Sequence, residues 1–325
     1  MKKTIRLKFV GYWDGFVPEN TRIYKDLASL YDIELTDEPD YIICSCFAPY
    51  YEYCKYPQIR IMDLGENYTP DFNLIDYAVC RYPIQFLDRC YYYPGCIDFR
   101  GRFESLLNNE RHIKKDDLKD KCYFANFIAG HDSEDNIRGD FFKMLSEYKR
   151  IESPGTYLNN MPNQCFVDWK DSSKTDFQKK CKFSLCFEST KNAGFFTEKI
   201  VDALYSGTVP VYFGSEEVFE IINRDAVVYC SGRDDFENTV NKVIELDQND
   251  QLYLEILNKN PLNTNFSYEQ FKQGYNDFLI HIFEQPLESA YRRSQVYLPK
   301  QHEEFLLSKI GNKNERKQLW KIWKR

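Results

Sequence analysis

The chain has 325 residues, more than one hydrophobic core usually contains, so two domains are expected. Its apolar content of 43% and aromatic content of 17% exclude a disordered chain. The formal net charge of −7 argues against nucleic acid as a partner, because bulk binding of nucleic acid needs a basic surface.

Eleven cysteines and four histidines raise the question of a metal site or a disulfide framework. No Cys-x-x-Cys occurs; Cys44 and Cys46 are the closest pair, while Cys80, Cys186 and Cys230 lie in apolar runs. We therefore expect reduced thiols in a cytoplasmic protein and no zinc site. The N-terminus lacks the apolar core of a signal peptide, and no stretch approaches the ~20 apolar residues of a membrane-spanning helix.

Short apolar runs alternate with amphipathic stretches along the chain, which predicts an α/β fold with parallel strands. In the first part, strands are predicted at 5–12, 41–46 and 60–64 and a helix at 24–31. The charged segment 99–120 is expected to form a helix and a connection between domains. In the second part, strands are predicted at 122–129, 183–187, 209–213 and 226–230, and helices at 137–148 and 198–206.

The helix at 198–206 begins with Glu198 and Lys199, and Thr197 precedes them as a candidate N-cap. In open α/β sheets, ligands bind beyond the carboxyl ends of the strands. Helix N–H groups and a lysine there favour a phosphate, and the carboxylate of Glu198 can accept hydrogen bonds from sugar hydroxyls. Alternatively, Glu198 only complements the helix dipole and Lys199 is solvated; the residues alone leave both interpretations open.

Three common nucleotide-binding motifs are missing from the sequence. Neither G-x-G-x-x-G nor G-x-x-x-x-G-K-[ST] occurs, which argues against a dinucleotide fingerprint and a P-loop. There is also no Asp-x-Asp to carry a metal. If a nucleotide sugar binds here, protein cations and a helix N-terminus must stabilise its diphosphate.

The stretch KFSLCFEST, followed by GFFTEKIVDALYSGTVPVYFGS, resembles the signature of the α1,3/4-fucosyltransferase family. RIMDLGENYTPDFNLIDYAV at 60–79 and IRGDFFKML at 137–145 resemble two further family segments, and the resemblance spans most of 5–285. It implies the GT-B architecture, an α/β fold of two Rossmann-like domains facing across a cleft. We expect an acceptor-binding domain at 1–120, a GDP-fucose-binding domain at 121–285 and a helical, basic and aromatic tail at 286–325.

The resemblance implies an inverting glycosyltransferase that moves L-fucose from GDP-fucose to the GlcNAc or glucose of a β-galactoside-terminated oligosaccharide or glycolipid. Its products would be Lewis-type antigens, for example on lipopolysaccharide. No tightly bound metal is expected, and stimulation by Mn²⁺ or Mg²⁺ is left open. Two alternatives stand beside this interpretation: the same architecture with another nucleotide sugar, and a glycan-binding protein that has lost catalysis.

By resemblance, Glu66 is the general base, Lys199 and Arg138 contact the donor phosphates, and Glu198 contacts the ribose of GDP. The predicted donor site comprises Arg138, Glu188, Ser189, Phe195, Glu198 and Lys199. Ser189 and Phe195 depart from the family pattern, which has Asn and Tyr there, so donor contacts are expected to differ locally. The predicted acceptor site comprises Trp13 and Asp14, which follow the first strand, and Asn67.

The last fifteen residues, 311–325, contain six Lys or Arg and one Glu. Leu319, Trp320, Ile322 and Trp323 lie among them at helical spacing. Such a segment can lie on an anionic membrane surface, or it can pack on the body of the protein as a C-terminal helix. The tail also resembles that of family members, which favours peripheral contact with the inner face of a membrane.

Deleting residues 313–325 is therefore expected to weaken binding to anionic vesicles, because the deletion removes all six basic side chains and both tryptophans of this segment. Cosedimentation with anionic and with neutral vesicles measures this. Equal binding of the full and shortened chains would favour the packed helix instead.

Overall fold

A computed structural model describes residues 2–47, 51–97, 101–107, 111–133, 135–165, 167 and 172–310. The chain divides into two compact units. The first comprises the residues up to Tyr93 together with those from Tyr268 onwards, and the second runs from Pro94 to Ser267. Each unit contains one entirely parallel sheet, as the alternation of strands and helices predicts.

The first sheet contains six strands in the order β2-β1-β3-β4-β5-β6. Its elements are β1 (Thr4–Val10), α1 (Arg22–Leu30), β2 (Asp32–Leu35), β3 (Tyr41–Cys44), β4 (Ile59–Asp63), β5 (Tyr77–Cys80) and β6 (Cys90–Tyr92). All residues of β3 and β5 are buried, as is typical of strands covered on both faces. The strand order reverses at β1, so a crevice is expected between the carboxyl ends of β1 and β3.

The second sheet contains five strands in the order β11-β10-β9-β7-β8. Its unit consists of β7 (Tyr123–Asn126), α2 (Ile137–Ser146), β8 (Ile151–Glu152), α3 (Ser173–Gln178), β9 (Cys181–Phe187), α4 (Glu198–Tyr205), β10 (Val209–Phe213), β11 (Val228–Tyr229), α5 (Phe236–Gln248) and α6 (Asp250–Leu257). Gly207 follows α4 with a φ of +63°, which glycine adopts without steric cost, and so ends the helix as its position suggests.

The charged segment at 99–120 forms less helix than the sequence predicts. In the described part of the segment, two short 3-10 turns occur, at Glu104–Leu106 and Lys115–Asp120. The second turn has no buried residue, because its side chains are almost all charged and offer no apolar face to pack. The predicted strands and the three predicted helices outside this segment are present; the strand at 209–213 has the predicted ends, and the others have shifted ends.

The compact units have different boundaries from the predicted domains, which were expected to change at 120 and 285. The chain joins the second unit already at Pro94, because residues before β7 pack on that unit. Arg102, for example, pairs with Asp202 of α4, and Arg111 donates a hydrogen bond to the carbonyl of Leu257.

The helices after residue 267 return to the first unit. They are α7 (Tyr268–Glu284), α8 (Leu287–Ala290) and α9 (Leu298–Lys309). The ring of Phe283 on α7 packs 4.7 Å from that of Tyr41 on β3, and Arg293 forms a fully buried ion pair with Asp76. Residues 286–310 therefore belong to the first compact unit.

The predicted basic segment at 311–325 lies outside the described residues. No helix in the described part of the chain is long and apolar enough to cross a membrane.

Substitution of Asp76 tests how much a buried carboxylate stabilises the first unit. Its carboxylate accepts three backbone N–H groups and lies 3.0 Å from the guanidinium of Arg293. Asp76→Ala is expected to reduce the free energy of unfolding by about 3–5 kcal/mol, because the buried guanidinium of Arg293 loses the carboxylate of Asp76 as its counter-ion. Urea denaturation measures the loss. Asp37→Ala, which removes an exposed partner of Lys8, is the control and should change stability little.

Candidate active site

The crevice of the second sheet lies between β7 and β9, because β7 has β8 on one side and β9 on the other. Glu188 immediately follows β9, and Arg138 lies in the first turn of α2, which follows β7. Glu198 and Lys199 open α4, the helix between β9 and β10. The fold therefore brings four of the predicted donor-site residues to one edge of this sheet.

Glu188 is fully buried, and its carboxylate is held by several donors. Its Oε1 accepts hydrogen bonds from the backbone N–H of Thr197 at 2.7 Å and from the Thr197 hydroxyl at 2.8 Å. Its Oε2 accepts one from the Nζ of Lys199 at 2.9 Å. The backbone N–H of Glu188 donates to the carbonyl of Phe213 at the end of β10. This carboxylate thus ties the end of β9 to the start of α4.

Thr197 occupies the N-cap position of α4, but its side chain does not cap the helix, which corrects the sequence-based expectation. Its hydroxyl donates to the carboxylate of Glu188 and accepts a hydrogen bond of 2.9 Å from Lys199. The hydroxyl oxygen thus accepts from the ammonium of Lys199 in place of a helix N–H group, and hydrogen bonds that involve a charged group are the stronger ones.

Lys199 is held by the protein rather than simply solvated. Its Nζ binds Glu188 and Thr197, each at 2.9 Å, and its side chain is 22% exposed. An ammonium group has three N–H donors, so two hydrogen bonds within the protein leave one for a ligand. The ammonium is therefore fixed at the helix N-terminus, where an anion would bind.

Arg138 is buried and is held by backbone carbonyl groups. Its Nε donates to the carbonyls of Phe187 and Glu188 at 3.0 and 3.2 Å, and its Nη1 donates to the carbonyl of His131 at 3.1 Å. Burial lowers the pKa of Arg138, although the carboxylates of Glu188 and other acidic residues oppose this shift. These contacts engage two of the five guanidinium N–H groups, because the single Nε–H is shared by two carbonyls, and they fix the loop that carries Glu188.

Glu198 faces a cluster of charges that the sequence analysis did not find. The Nζ of Lys174 on α3 lies 3.6 Å from Oε1 of Glu198 and 2.7 Å from Oδ2 of Asp202. The Nη1 of Arg102 lies 2.5 Å from the other carboxylate oxygen of Asp202. One signal was available: Asp202 lies in the middle of an apolar helix, where a buried carboxylate needs a cationic partner.

The remaining predicted donor-site residues lie next to this edge. Ser189 is half-buried and directly follows Glu188, whereas Phe195 is only 4% exposed. Gly214 follows β10, and a Cβ at this position would collide with the hydroxyl of Tyr212 and come within 3.0 Å of the Cγ of Glu188. A glycine is therefore required for the close packing around Glu188.

The predicted acceptor residues and the predicted base lie in the first unit, on the loops that follow β1 and β4. Trp13, Asp14, Glu66 and Asn67 are all exposed. The indole of Trp13 is 58% exposed and packs edge-on against Phe47, which follows β3, at 5.6 Å. Trp13 therefore lies at the crevice where the strand order of the first sheet reverses.

The carboxylate of Glu66 contributes to a pKa shift of the Cys46 thiol. Burial raises the pKa of Cys46 to about 11, and the negative charge of Glu66 adds to the shift because it disfavours a second anion nearby. Within the described ranges, no group of three or more His, Cys, Asp or Glu side chains is arranged to hold a metal ion.

Comparisons with known proteins identify the class of this fold and site. Residues 7–99 match the family model for the N-terminal domain of alpha-(1,3)-fucosyltransferase FucT, and residues 118–272 match that for the C-terminal part of glycosyltransferase family 10, the fucosyltransferases. The two matches together cover more than half of the chain. The chain belongs to glycosyltransferase family 10.

Relatives of known identity support the assignment. The alpha-(1,3)-fucosyltransferase FucT of Helicobacter pylori is 29% identical over 234 residues, which cover 63% of this chain and 48% of that protein. The human 4-galactosyl-N-acetylglucosaminide 3-alpha-L-fucosyltransferase 9 is 34% identical over 134 residues, covering 41% of this chain and 35% of that protein. This chain thus spans about half of the bacterial relative and about a third of the human one.

Solved structures share the fold. A crystal structure of an alpha1,3-fucosyltransferase superposes with a TM-score of 0.73 at 23% identity, covering 91% of this chain and 94% of the other. A crystal structure of an alpha1,3-fucosyltransferase with GDP-fucose gives a TM-score of 0.67 at 23% identity, covering 86% and 91%. The predicted fold class, an α/β protein with two Rossmann-like units of the GT-B type, is confirmed.

Thr197→Val tests whether the hydroxyl supports the buried carboxylate of Glu188. The substitution keeps the side-chain shape and removes the donor, so the free energy of unfolding should fall by about 1–3 kcal/mol. Thr197→Ser, which keeps the hydroxyl, is the matched control and should lose less. Chemical denaturation followed by circular dichroism measures both. Equal losses would show that the hydroxyl contributes no more than the methyl group that serine lacks.

Proposed function

We propose that the protein is an inverting α1,3-fucosyltransferase that uses GDP-fucose as donor. The observation that carries the proposal is the arrangement of Lys199 at the N-terminus of α4, fixed by the buried Glu188 and by Thr197. Membership of a fucosyltransferase family gives the donor class. The fucosyltransferase crystallised with GDP-fucose, which has the same fold, supports the same donor.

The donor diphosphate would bind at the start of α4. Lys199 contributes a hydrogen bond and a charge, the helix contributes N–H groups, and Arg138 contributes a second cation nearby. As the phosphate–sugar bond breaks, negative charge develops on the departing GDP, and fixed cations stabilise that charge without reorganising. GDP needs no general acid once its charge is neutralised, so one carboxylate is sufficient for proton transfer.

Glu66 would be that carboxylate, acting as the general base on the acceptor hydroxyl. It lies on the exposed loop after β4, beside Asn67; Trp13 and Asp14, the other side chains proposed for the acceptor, lie on the exposed loop after β1. An indole ring suits the apolar face of a sugar, and the polar side chains suit its hydroxyls. A positioned base contributes about 10²–10⁴-fold to the rate.

The finer parts of the proposal concern the acceptor and the location. We infer that the acceptor is a glycan with a terminal β-galactoside, modified on GlcNAc or glucose to give a Lewis-type product. The name of the human relative supports this inference, because it specifies a 4-galactosyl-N-acetylglucosaminide. A cytoplasmic location at the inner face of a membrane would follow from the basic and aromatic composition of 311–325.

Lys199→Ala and Glu66→Gln should affect different steps of the reaction. Lys199→Ala is expected to weaken GDP binding by about tenfold or more, because it removes a charge-assisted hydrogen bond. Glu66→Gln is expected to leave GDP affinity near the wild-type value and to reduce kcat by about 10²–10⁴-fold, because the base is lost. Calorimetry with GDP, and mass spectrometry of N-acetyllactosamine incubated with GDP-fucose, measure the two effects.

The outcomes of that experiment separate the alternatives. A deoxyhexose added to the acceptor by the wild type and lost in Glu66→Gln supports both donor and mechanism. Binding of GDP without transfer would indicate another sugar donor, another acceptor or a glycan-binding protein. No binding of GDP, or equal binding by Lys199→Ala, would contradict the assignment of the donor site.

A further inference from the structure

Two cysteine thiols, those of Cys80 and Cys90, meet in the first unit and have no part in the proposed reaction. Cys80 is the last residue of β5 and is fully buried, whereas Cys90 is the first residue of β6 and is half-buried. Their Sγ atoms lie 2.6 Å apart. Both thiols are free, yet their side chains already point towards each other, as a disulfide requires.

The pairing of β5 with β6 explains why these two side chains meet. The two strands are parallel, and Ala78 of β5 lies beside Cys90 of β6. Cys80 lies two residues beyond Ala78, and side chains two apart along a strand point to the same face of the sheet. The two cysteines are therefore diagonal neighbours on one face, and the methyl group of Ala78 is too small to separate them.

Hydrogen bonds hold the chain on both sides of the pair. The backbone N–H of Tyr93 donates to the carbonyl of Cys80 at 2.8 Å, so the pairing continues beyond the end of β5. Arg89 precedes Cys90, and its guanidinium donates to three backbone carbonyls in the segment 72–76. A bond between the two sulfur atoms would therefore join strands that are already held side by side.

The two thiols differ in reactivity. The hydrogen bond with Cys90, together with burial, raises the pKa of the Cys80 thiol, so Cys80 is protonated at neutral pH. Cys90 is half-buried and is the thiol of the pair that a small reagent can reach. Because the thiolate is the nucleophile in thiol–disulfide exchange, the reaction starts at Cys90.

We propose that Cys80 and Cys90 form a reversible disulfide between β5 and β6 by exchange with a low-molecular-weight disulfide. Cys90 loses its proton to solvent and attacks one sulfur of that disulfide, whose S–S bond breaks and releases a first thiolate. Cys80 then attacks the Sγ of Cys90 in the mixed disulfide and loses its proton to solvent as the second thiolate leaves. The two protein thiols are oxidised, the small disulfide is reduced, and the released thiolates take up the two protons.

The disulfide covalently holds the edge of the first sheet. β6 lies at the end of the strand order and pairs with β5. The chain passes to the second unit at Pro94, shortly after this strand. Closing the short loop from 80 to 90 reduces the conformational freedom of the unfolded chain and keeps the edge strand from fraying.

The test exposes the reduced full chain to hydroxyethyl disulfide at mildly alkaline pH and maps its cysteines by mass spectrometry of unreduced peptides. The wild type should give peptides joined through Cys80 and Cys90, and dithiothreitol should reverse the link. Cys122 is exposed and should carry a mixed disulfide, which shows that the reagent is active. The linked protein should unfold at a Tm about 2–6 °C higher than Cys90→Ser treated in the same way.

Single substitutions separate the roles of the two thiols. Cys80→Ser should leave Cys90 as a mixed disulfide with the reagent, because the second thiol is missing. Cys90→Ser should leave Cys80 a free thiol, because Cys80 is buried and protonated. Cys46→Ser is the matched control: Cys46 is also half-buried and packs against the same apolar cluster, and its loss should leave the link intact.

Two outcomes would overturn the proposal. If Cys122 is modified while Cys80 and Cys90 stay free thiols, their contact is a hydrogen bond within the core and nothing more. A mixed disulfide that remains on Cys90 of the wild type, with Cys80 still free, contradicts the second exchange step. The test involves neither GDP nor an acceptor, so its result is independent of the proposed function.

Discussion

The fully buried carboxylate of Glu188 is the constraint on which the site depends. A carboxylate removed from water costs several kcal/mol unless it is hydrogen-bonded and paired. Here the backbone and hydroxyl of Thr197 and the ammonium of Lys199 meet that requirement. These donors lie at the start of α4, and Glu188 directly follows β9. The hydrogen bonds to the carboxylate of Glu188 therefore determine how α4 begins and where the ammonium of Lys199 lies.

Other buried charged groups of the second unit likewise have hydrogen-bond or ion-pair partners. Arg138 donates to the carbonyls beside Glu188, which links the start of α2 to the end of β9. On the other side of α4, Lys174 and Arg102 surround Asp202. Four cations, Lys199, Arg138, Lys174 and Arg102, are thus fixed near the start of α4 by carboxylates and carbonyl groups. Fixed charges of this kind need little reorganisation when a ligand or a leaving group brings negative charge.

Both units use the same property of parallel sheets. In each, the strand order reverses beside one strand, and loops diverge at the carboxyl ends of the two neighbours. In the first unit Trp13 and Phe47 meet at that position, and in the second Arg138 and Glu188 do. The first unit is completed by the chain that returns after residue 267, where the buried pair of Arg293 and Asp76 fixes the segment after α8. Sites built on strand ends are held by rigid backbone, while their specificity lies in loops.

The sequence by itself determined the fold class and most of the proposed donor-site residues. Apolar strand runs and amphipathic helices alternate at local periods, and the Glu198–Lys199 pair follows a strand at a position where anions bind. Sequence reasoning did not find that Thr197 serves Glu188 rather than the helix, or that Lys174 and Arg102 converge on Asp202. The compact units change at Pro94 and Tyr268, whereas the domains were predicted to change at 120 and 285. These features arise from pairs such as Arg102 and Asp202, 100 residues apart, whose contact only the tertiary structure decides. Local patterns reveal that a buried charge needs a partner; which distant side chain supplies it depends on how the whole chain packs.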